Sequence, residues 1–297
     1  MISKIQYQHS EPGEFIDKKD RTFEETTALI EEYPWEEQRE HMPVGIGGSS
    51  VTIEDGLGEY LKLAPYFHGK FVLYYLDAAG HLYTKSFPDY QGSFPFIQAF
   101  FEHRLDTADF QLERFWMQGK AIHFKDMDFH FTPKKAGILL TMTLIGAYCA
   151  AMISILVTLL FMVPLNIPGL VIIPAIFGLF VLFIAGKFAM FINYYRVAHD
   201  KMLILSRGND LFYYGVIGHL QEFNKKEILG IVTYGPTGGR RMEIDGFIKM
   251  EMRTGDLIYI PYMVLHMGPL LDKLRGCPQR HQFSWFPFIP LSAASPS

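Results

Sequence analysis

The sequence predicts an α+β membrane protein in which a two-helix transmembrane hairpin, spanning about 136–195, separates an N-terminal α+β domain from a mostly β C-terminal domain capped by a helix. Three observations carry this expectation. No Asp, Glu, Lys, Arg or His occurs between Lys135 and Lys187, in a chain of which 20% is charged, and such a run reads as membrane-embedded. The run is broken once, at Val163-Pro164-Leu165-Asn166-Ile167-Pro168-Gly169, where two prolines, an asparagine and a glycine end one helix and restart another. On both sides of it lie short apolar runs bounded by Gly, Pro, Asn and Asp, the pattern of strands joined by turns.

The first segment, 1–44, is acidic, with Glu11, Glu14, Asp17, Asp20, Glu24 and Glu25 among its carboxylates. A short helix is expected in it. Thr22-Phe23-Glu24-Glu25 has the spacing of a capping box, Phe23, Ala28, Leu29 and Tyr33 share a stripe, and Pro34 ends the run. Its acidity disfavours an anionic leaflet and favours a protein partner or a neighbouring domain. The next segment, 45–131, reads as a small α+β cytoplasmic domain. Gly45-Ile46-Gly47-Gly48-Ser49-Ser50 lacks the lysine and the strand-to-helix context of a phosphate loop and reads as a linker. Lys70–Leu76 and His81–Lys85 flank the turn Asp77-Ala78-Ala79-Gly80, and Ile97, Phe100 and Phe101 mark one face of a helix within 94–105.

The hairpin helices are expected at about 137–163 and 169–195, each longer than the roughly 20 residues a bilayer core requires. Lys134 and Lys135 precede the first, Lys187, Arg196 and Lys201 end or follow the second, and the connection is uncharged. Both termini are therefore expected in the cytoplasm, at an inner or plasma membrane. Lys187 reads as an interfacial anchor, with Tyr194 and Tyr195 at interface depth beyond it. Gly146, Ala150 and Ser154 on one helix and Gly178, Ala185 and Gly186 on the other would let backbones approach closely, within the hairpin or in a homodimer. The start of the chain has no apolar stretch of signal-peptide type, so no secretory signal is expected. Cys149 and Cys277 suggest no disulfide framework, and a net charge of −4 carries no nucleic-acid footprint.

One cluster invites chemistry. On a strand, Asp126, Asp128 and His130 would share a face and offer two carboxylates and an imidazole as metal ligands. Against this stand the ordinary reading, a half-buried strand with Met127, Phe129 and Phe131 inward, and the lack of a second ligand cluster. His103, His123 and His199 have no sequence partner that would make them bases or ligands. No GxSxG or His/Cys metal pattern is present, and no cofactor is expected.

After the membrane segment, Lys201–Leu205, the turn Ser206–Asp210 and Leu211–Ile217 form a hairpin signature. Glu227–Tyr234, Phe247–Arg253 and Leu257–Ile260 add strands, and Pro269, Leu270, Leu271, Leu274 and Gly276 mark a terminal helix. This order, with Asn224-Lys225-Lys226-Glu227-Ile228-Leu229-Gly230-Ile231 and Gly255-Asp256-Leu257-Ile258-Tyr259-Ile260-Pro261, resembles the bacterial membrane-anchored pleckstrin-homology-like (PH-like) domains over about 195–276, the domain itself being expected at 196–276. The resemblance implies a seven-stranded bent barrel or sandwich capped by one helix, a scaffold for binding lipid headgroups or proteins. The basic fingerprint of phosphoinositide-binding members is not reproduced. Arg240 and Arg241 in a Gly-rich loop, with Arg207, Lys225 and Lys226, are the cations expected to meet anionic headgroups. The tail, 277–297, is aromatic and Pro-rich and is expected either to pack on its own domain or to dock on the membrane or a partner. The functional expectation is a non-enzymatic membrane-anchored adaptor or scaffold. Its alternatives are a structural subunit of a larger secretion or envelope assembly and a membrane-tethered metal-dependent enzyme. Transport is disfavoured, because the helices carry no intramembrane charge.

Overall fold

The computed structural model describes residues 1–39, 46–113, 120–133, 135–162, 167–236 and 246–290. Two units divide the chain: Met1–Asp128 with Ser206–Asn209, and Phe129–Leu205 with Asp210–Ser297.

In the first unit, β1 (Ile2–Gln6), β2 (Ile16–Asp20), α1 (Phe23–Glu32), β3 (Ser50–Glu54), β4 (Tyr60–Pro65), β5 (Phe71–Leu76), β6 (Leu82–Phe87), α2 (Phe94–Phe101) and β7 (Gln111–Leu112) follow in order. The strands form one sheet, β2-β1-β3-β4-β5-β6-β7, with antiparallel neighbours throughout. Every residue of β4 and β5 is buried, as a central strand covered on both faces requires. On one face Ile30 of α1 and Ile97 and Phe100 of α2 pack with Trp35, Leu61 and Leu73. On the other, Tyr60, Val72, Tyr74 and Leu82 pack with Ile46 and Phe124. Thr22 caps α1 as the spacing suggests, its hydroxyl accepting from Glu25 N while the Glu25 carboxylate accepts from Thr22 N. The first twenty residues do more than supply acidity, because β1 is an interior strand of the sheet. Lys4 and Gln6 disguised it, being polar residues that lie fully buried on one face.

The second unit contains β8 (His130–Phe131), α3 (Lys135–Met162), α4 (Ile167–Ala198), β9 (Lys201–Ile204), β10 (Leu211–Val216), β11 (His219–Asn224), β12 (Ile228–Gly235), β13 (Phe247–Met252), β14 (Leu257–Pro261), α5 (Met267–Lys273) and β15 (Gln279–Phe283). Two four-stranded sheets result, β11-β10-β9-β8 and β14-β13-β12-β15. β8 pairs antiparallel with β9, His130 opposite Ile204 and Phe131 opposite Leu203. The two long helices are thus inserted between neighbouring strands, and this unit begins before them rather than at residue 196. β15 follows α5 and lies parallel to β12. On α5, Leu270 is buried, and the Lys273 ammonium sits 4.9 Å from the Phe129 ring and 5.1 Å from that of Phe131.

The helices depart from expectation in three ways. Among the described residues, Phe177–Ala198 is long and apolar enough to cross a membrane, while Met142–Ile155 is a shorter apolar stretch. Both helices exist, but the described residues do not support a hairpin in which each spans, and Val163–Asn166 lie outside them. Second, the last turns of α4 do not sit at membrane depth. Met190, Phe191, Tyr194, Val197 and Ala198 are buried in one core with Leu203, Phe212, Ile231, Ile248, Ile260 and Leu270. Their spacing of three and four residues is that of a helix face entering a core. Third, a Cβ added at Gly146 or Gly178 would meet nothing within 4 Å, so these small residues do not seat the partner helix. Tyr148 meets Phe180 instead, ring centres 5.4 Å apart, beside an apolar cleft of about 430 Å³ that Cys149, Phe177 and Ile184 help to line.

Candidate functional site

Of the cations singled out for headgroup contact, the described ones fall in different units, Arg207 in the first and Lys225 and Lys226 in the second. Arg207 lies in the Ser206–Asn209 turn, which belongs to the first unit. Its guanidinium is engaged there, Nε donating to His9 O at 2.9 Å and Nη2 to Ser10 O at 2.9 Å. Lys225 and Lys226 form a short 3-10 turn capped by the Asn224 side chain, and Lys226 Nζ pairs with Asp210 at 2.5 Å. Arg240 and Arg241 lie outside the described residues.

The metal candidates do not share a strand. Residues 126–129 are outside regular structure, and only His130 and Phe131 pair. Asp126 and Asp128 fall in the first unit and His130 in the second. Asp126 serves as a counter-ion. Its Oδ2 accepts from Lys18 Nζ at 2.6 Å and from Lys4 Nζ at 3.2 Å. Burial raises its pKa, but the two ammoniums outweigh that and hold it below the ordinary carboxylate value. Among the described residues no group of three His, Cys, Asp or Glu side chains is placed to hold a metal ion.

Asp126 leads instead to an electrostatic centre that sequence reading missed. Lys4 faces Thr52 across β1 and β3, Thr52 faces Lys62 across β3 and β4, and Lys62 faces Tyr74 across β4 and β5. Residues in register share a face, so two lysines with no solvent exposure lie on the same side of the sheet. Lys4 Nζ reaches Glu54 at 3.3 Å. Lys62 Nζ donates to Gln6 Oε1 at 3.0 Å and to His123 O at 2.9 Å, and among the described residues no carboxylate pairs with it. The Phe15 ring lies 4.3 Å from one ammonium and 5.7 Å from the other. Burial, and secondarily the charge on Lys4, brings the Lys62 pKa down from 10.5 to about 7. Burial, and then Lys62, also lowers His123. Thr52 Oγ1, Ser50 Oγ and His123 Nδ1 are buried without a hydrogen-bond partner among the described residues. A lysine that loses its proton near neutrality has the chemistry of a base or nucleophile, but one sealed from solvent cannot meet a substrate. The sequence signal was the period-two run Lys4, Gln6 and Thr52, Glu54, set against Ile5 in β1 and Val51 and Ile53 in β3 on the alternate face.

In the second unit the tail completes a concave site. Beyond β15 it runs along α4. The Asn193 side chain donates to Ile289 O at 3.0 Å and accepts from Ile289 N at 2.9 Å, Tyr194 Oη donates to Pro287 O at 2.5 Å, and Ile289 is buried in the core. The tail thus packs on its own unit. Between it and the β12–β14 sheet lies a groove of about 320 Å³, lined by Tyr234, Phe247, Lys249 and Tyr259 on the sheet and by Phe283, Phe286 and Phe288 on the tail. Lys249 is paired with Glu251 at 3.0 Å, which raises its pKa.

No curated protein and no solved structure matches the chain significantly. Residues 128–273 match the family model for a PH domain. The match begins just before β8, runs through α3 and α4, and ends on the last residue of α5. That stretch of the chain therefore carries a PH-like domain, with two long helices inserted between its first two strands.

Proposed function

We propose that this protein is a non-enzymatic, membrane-anchored adaptor, its PH-like domain held at the cytoplasmic face of an inner or plasma membrane to bind a protein or a lipid headgroup. The observation that carries the reading is α4 itself. Its middle exposes Leu179, Leu182 and Phe183, while its last two turns are core of the domain. An apolar helix that exposes Leu179, Val181, Leu182 and Phe183 in turn is unfavourable in water and favourable in lipid, and here it continues into the binding domain without a linker. α3, which exposes Leu139, Leu144, Tyr148 and Ile153, is read as the other arm of a hairpin.

In this reading Arg240 and Arg241, with Lys225 and Lys226, supply whatever attraction the domain has for anionic headgroups. Arg207 is spent within the first unit. A second reading, a subunit of a larger membrane assembly, draws on Gly146 and Gly178, whose open surroundings leave room for a helix from another chain. Alkaline carbonate extraction of membranes containing the full chain tests the anchor, and protease protection of tags at the two termini tests its topology. Release into the soluble fraction, or tags on opposite faces, would overturn the reading.

A further inference from the structure

We propose that the C-terminal tail forms an aromatic collar, with Phe283, Trp285 and Phe288 seated in the headgroup layer of the phospholipid bilayer that α4 crosses. The inference rests on the membrane reading of α4 and adds to it a second, separately testable contact.

The tail is fixed at one level of α4, and that level is where the helix changes character. Phe286 lies against Gly186, where a Cβ would come within 2.5 Å of its ring, and meets Phe183 edge to face at 5.6 Å. Lys187, the first charge after the apolar run, stands 5.8 Å from the Phe183 ring and 5.9 Å from that of Phe286. Below this level Leu179 and Leu182 are exposed, and above it Met190 and Phe191 are core. From Ile167 to Lys187 an α-helix rises about 30 Å, the thickness of a hydrocarbon core. The Phe286 seat thus falls at the boundary between acyl chains and headgroups.

At this place the tail leaves three large aromatics uncovered: Phe283 at 49%, Trp285 at 57% and Phe288 at 49% exposure. Phe283 and Trp285 meet edge to face at 5.5 Å. Water is a poor environment for such a patch, and the interfacial layer is the one Trp favours. The bonds of Asn193 and Tyr194 to the tail backbone hold it beside the helix, so the rings reach the interface with little loss of chain freedom.

The test uses the full chain carrying C149S and C277S, reconstituted in vesicles of phosphatidylcholine and phosphatidylglycerol. An environment-sensitive dye is attached in turn at L179C, W285C and F288C, and lipids spin-labelled near the headgroup or deep in the acyl chain serve as quenchers. The expected result is deep quenching at 179, and a blue-shifted emission at 285 and 288 that the shallow label quenches more than the deep one. Quenching at 179 with dyes at 285 and 288 that no lipid label reaches would overturn the collar and leave the anchor standing, whether those dyes are open to aqueous iodide or shielded by protein. No quenching at 179 would remove the membrane reading, and the collar with it.

Discussion

Replacing Lys62 by Met tests the least expected feature of the N-terminal unit. In the folded chain burial and Lys4 hold the Lys62 pKa at about 7, against 10.5 for a solvated lysine. A depressed lysine means that the unfolded chain binds more protons than the folded one between those two values, so stability rises with pH across that window and is flat below it. The slope approaches about 1.4 kcal/mol per pH unit, and the whole effect is of order 5 kcal/mol at most. K62M has no proton to lose there. It forfeits the bonds to Gln6 Oε1 and His123 O, at about 1–3 kcal/mol for each acceptor left unpaired, but this cost does not vary with pH. The wild type should therefore gain on K62M steadily from about pH 7 upward. His123 is lowered from 6.5 and titrates outside this window. Urea unfolding of both full-length proteins in micelles, followed through the buried Trp35, whose indole donates to Ile30 O, measures the difference. Stability curves that stay parallel from pH 7 to 10 would refute the reasoning and mean that the buried amine keeps its charge.

Three further outcomes follow from other contacts. Gly186→Val puts a branched side chain into the Phe286 ring, a misfit of about 1–3 kcal/mol, and should make the segment beyond Cys277 susceptible to limited proteolysis while the rest of the chain resists as before. Gly246→Ala should be far worse, because its Cβ would lie 2.0 Å from Tyr234 O, a backbone atom that cannot turn aside; loss of near-ultraviolet circular dichroism and of expression would register it. Changing Arg240 and Arg241 together to Ala removes about 1 kcal/mol of attraction per cation, roughly 30-fold in binding to anionic vesicles at low salt. Unchanged binding would leave a protein ligand as the better reading of the domain.

What was legible in the sequence is what short-range chemistry decides. The α1 cap needed only Thr22 and Glu25, and β9, β10, β12, β13 and β14 followed from apolar runs between turn residues such as Gly255, whose φ of 91° suits glycine, whereas β11 and β15 were not foreseen. Both long helices were visible from the missing charges. What stayed hidden depends on partners distant in the chain. Asp126 looked like a ligand because its counter-ions, Lys4 and Lys18, are more than a hundred residues away. β8 was too short to announce itself, so the start of the PH-like unit was placed after the helices instead of before them. β1 was masked because a buried lysine mimics an exposed one until the carboxylates that face it are known.

The end of α4 shows why hydropathy alone does not separate a membrane span from a protein core. Met190, Phe191, Tyr194, Val197 and Ala198 are as apolar as the residues that precede them, since a protein core and a bilayer select the same side chains. The two environments differ in what they do with polar atoms. Asn193 and Tyr194 are satisfied by backbone groups of the tail at Ile289 and Pro287, partners that lipid cannot supply. In the membrane reading proposed above, the apolar run would serve two solvents in succession, with the change near Lys187, about two turns before the place where composition put it. In that reading, the absence of a linker at that point would let the helix fix which face of the PH-like domain lies nearest the lipid. Recognition by the domain would then be set as much by the angle at which α4 leaves the bilayer as by the charges on its loops.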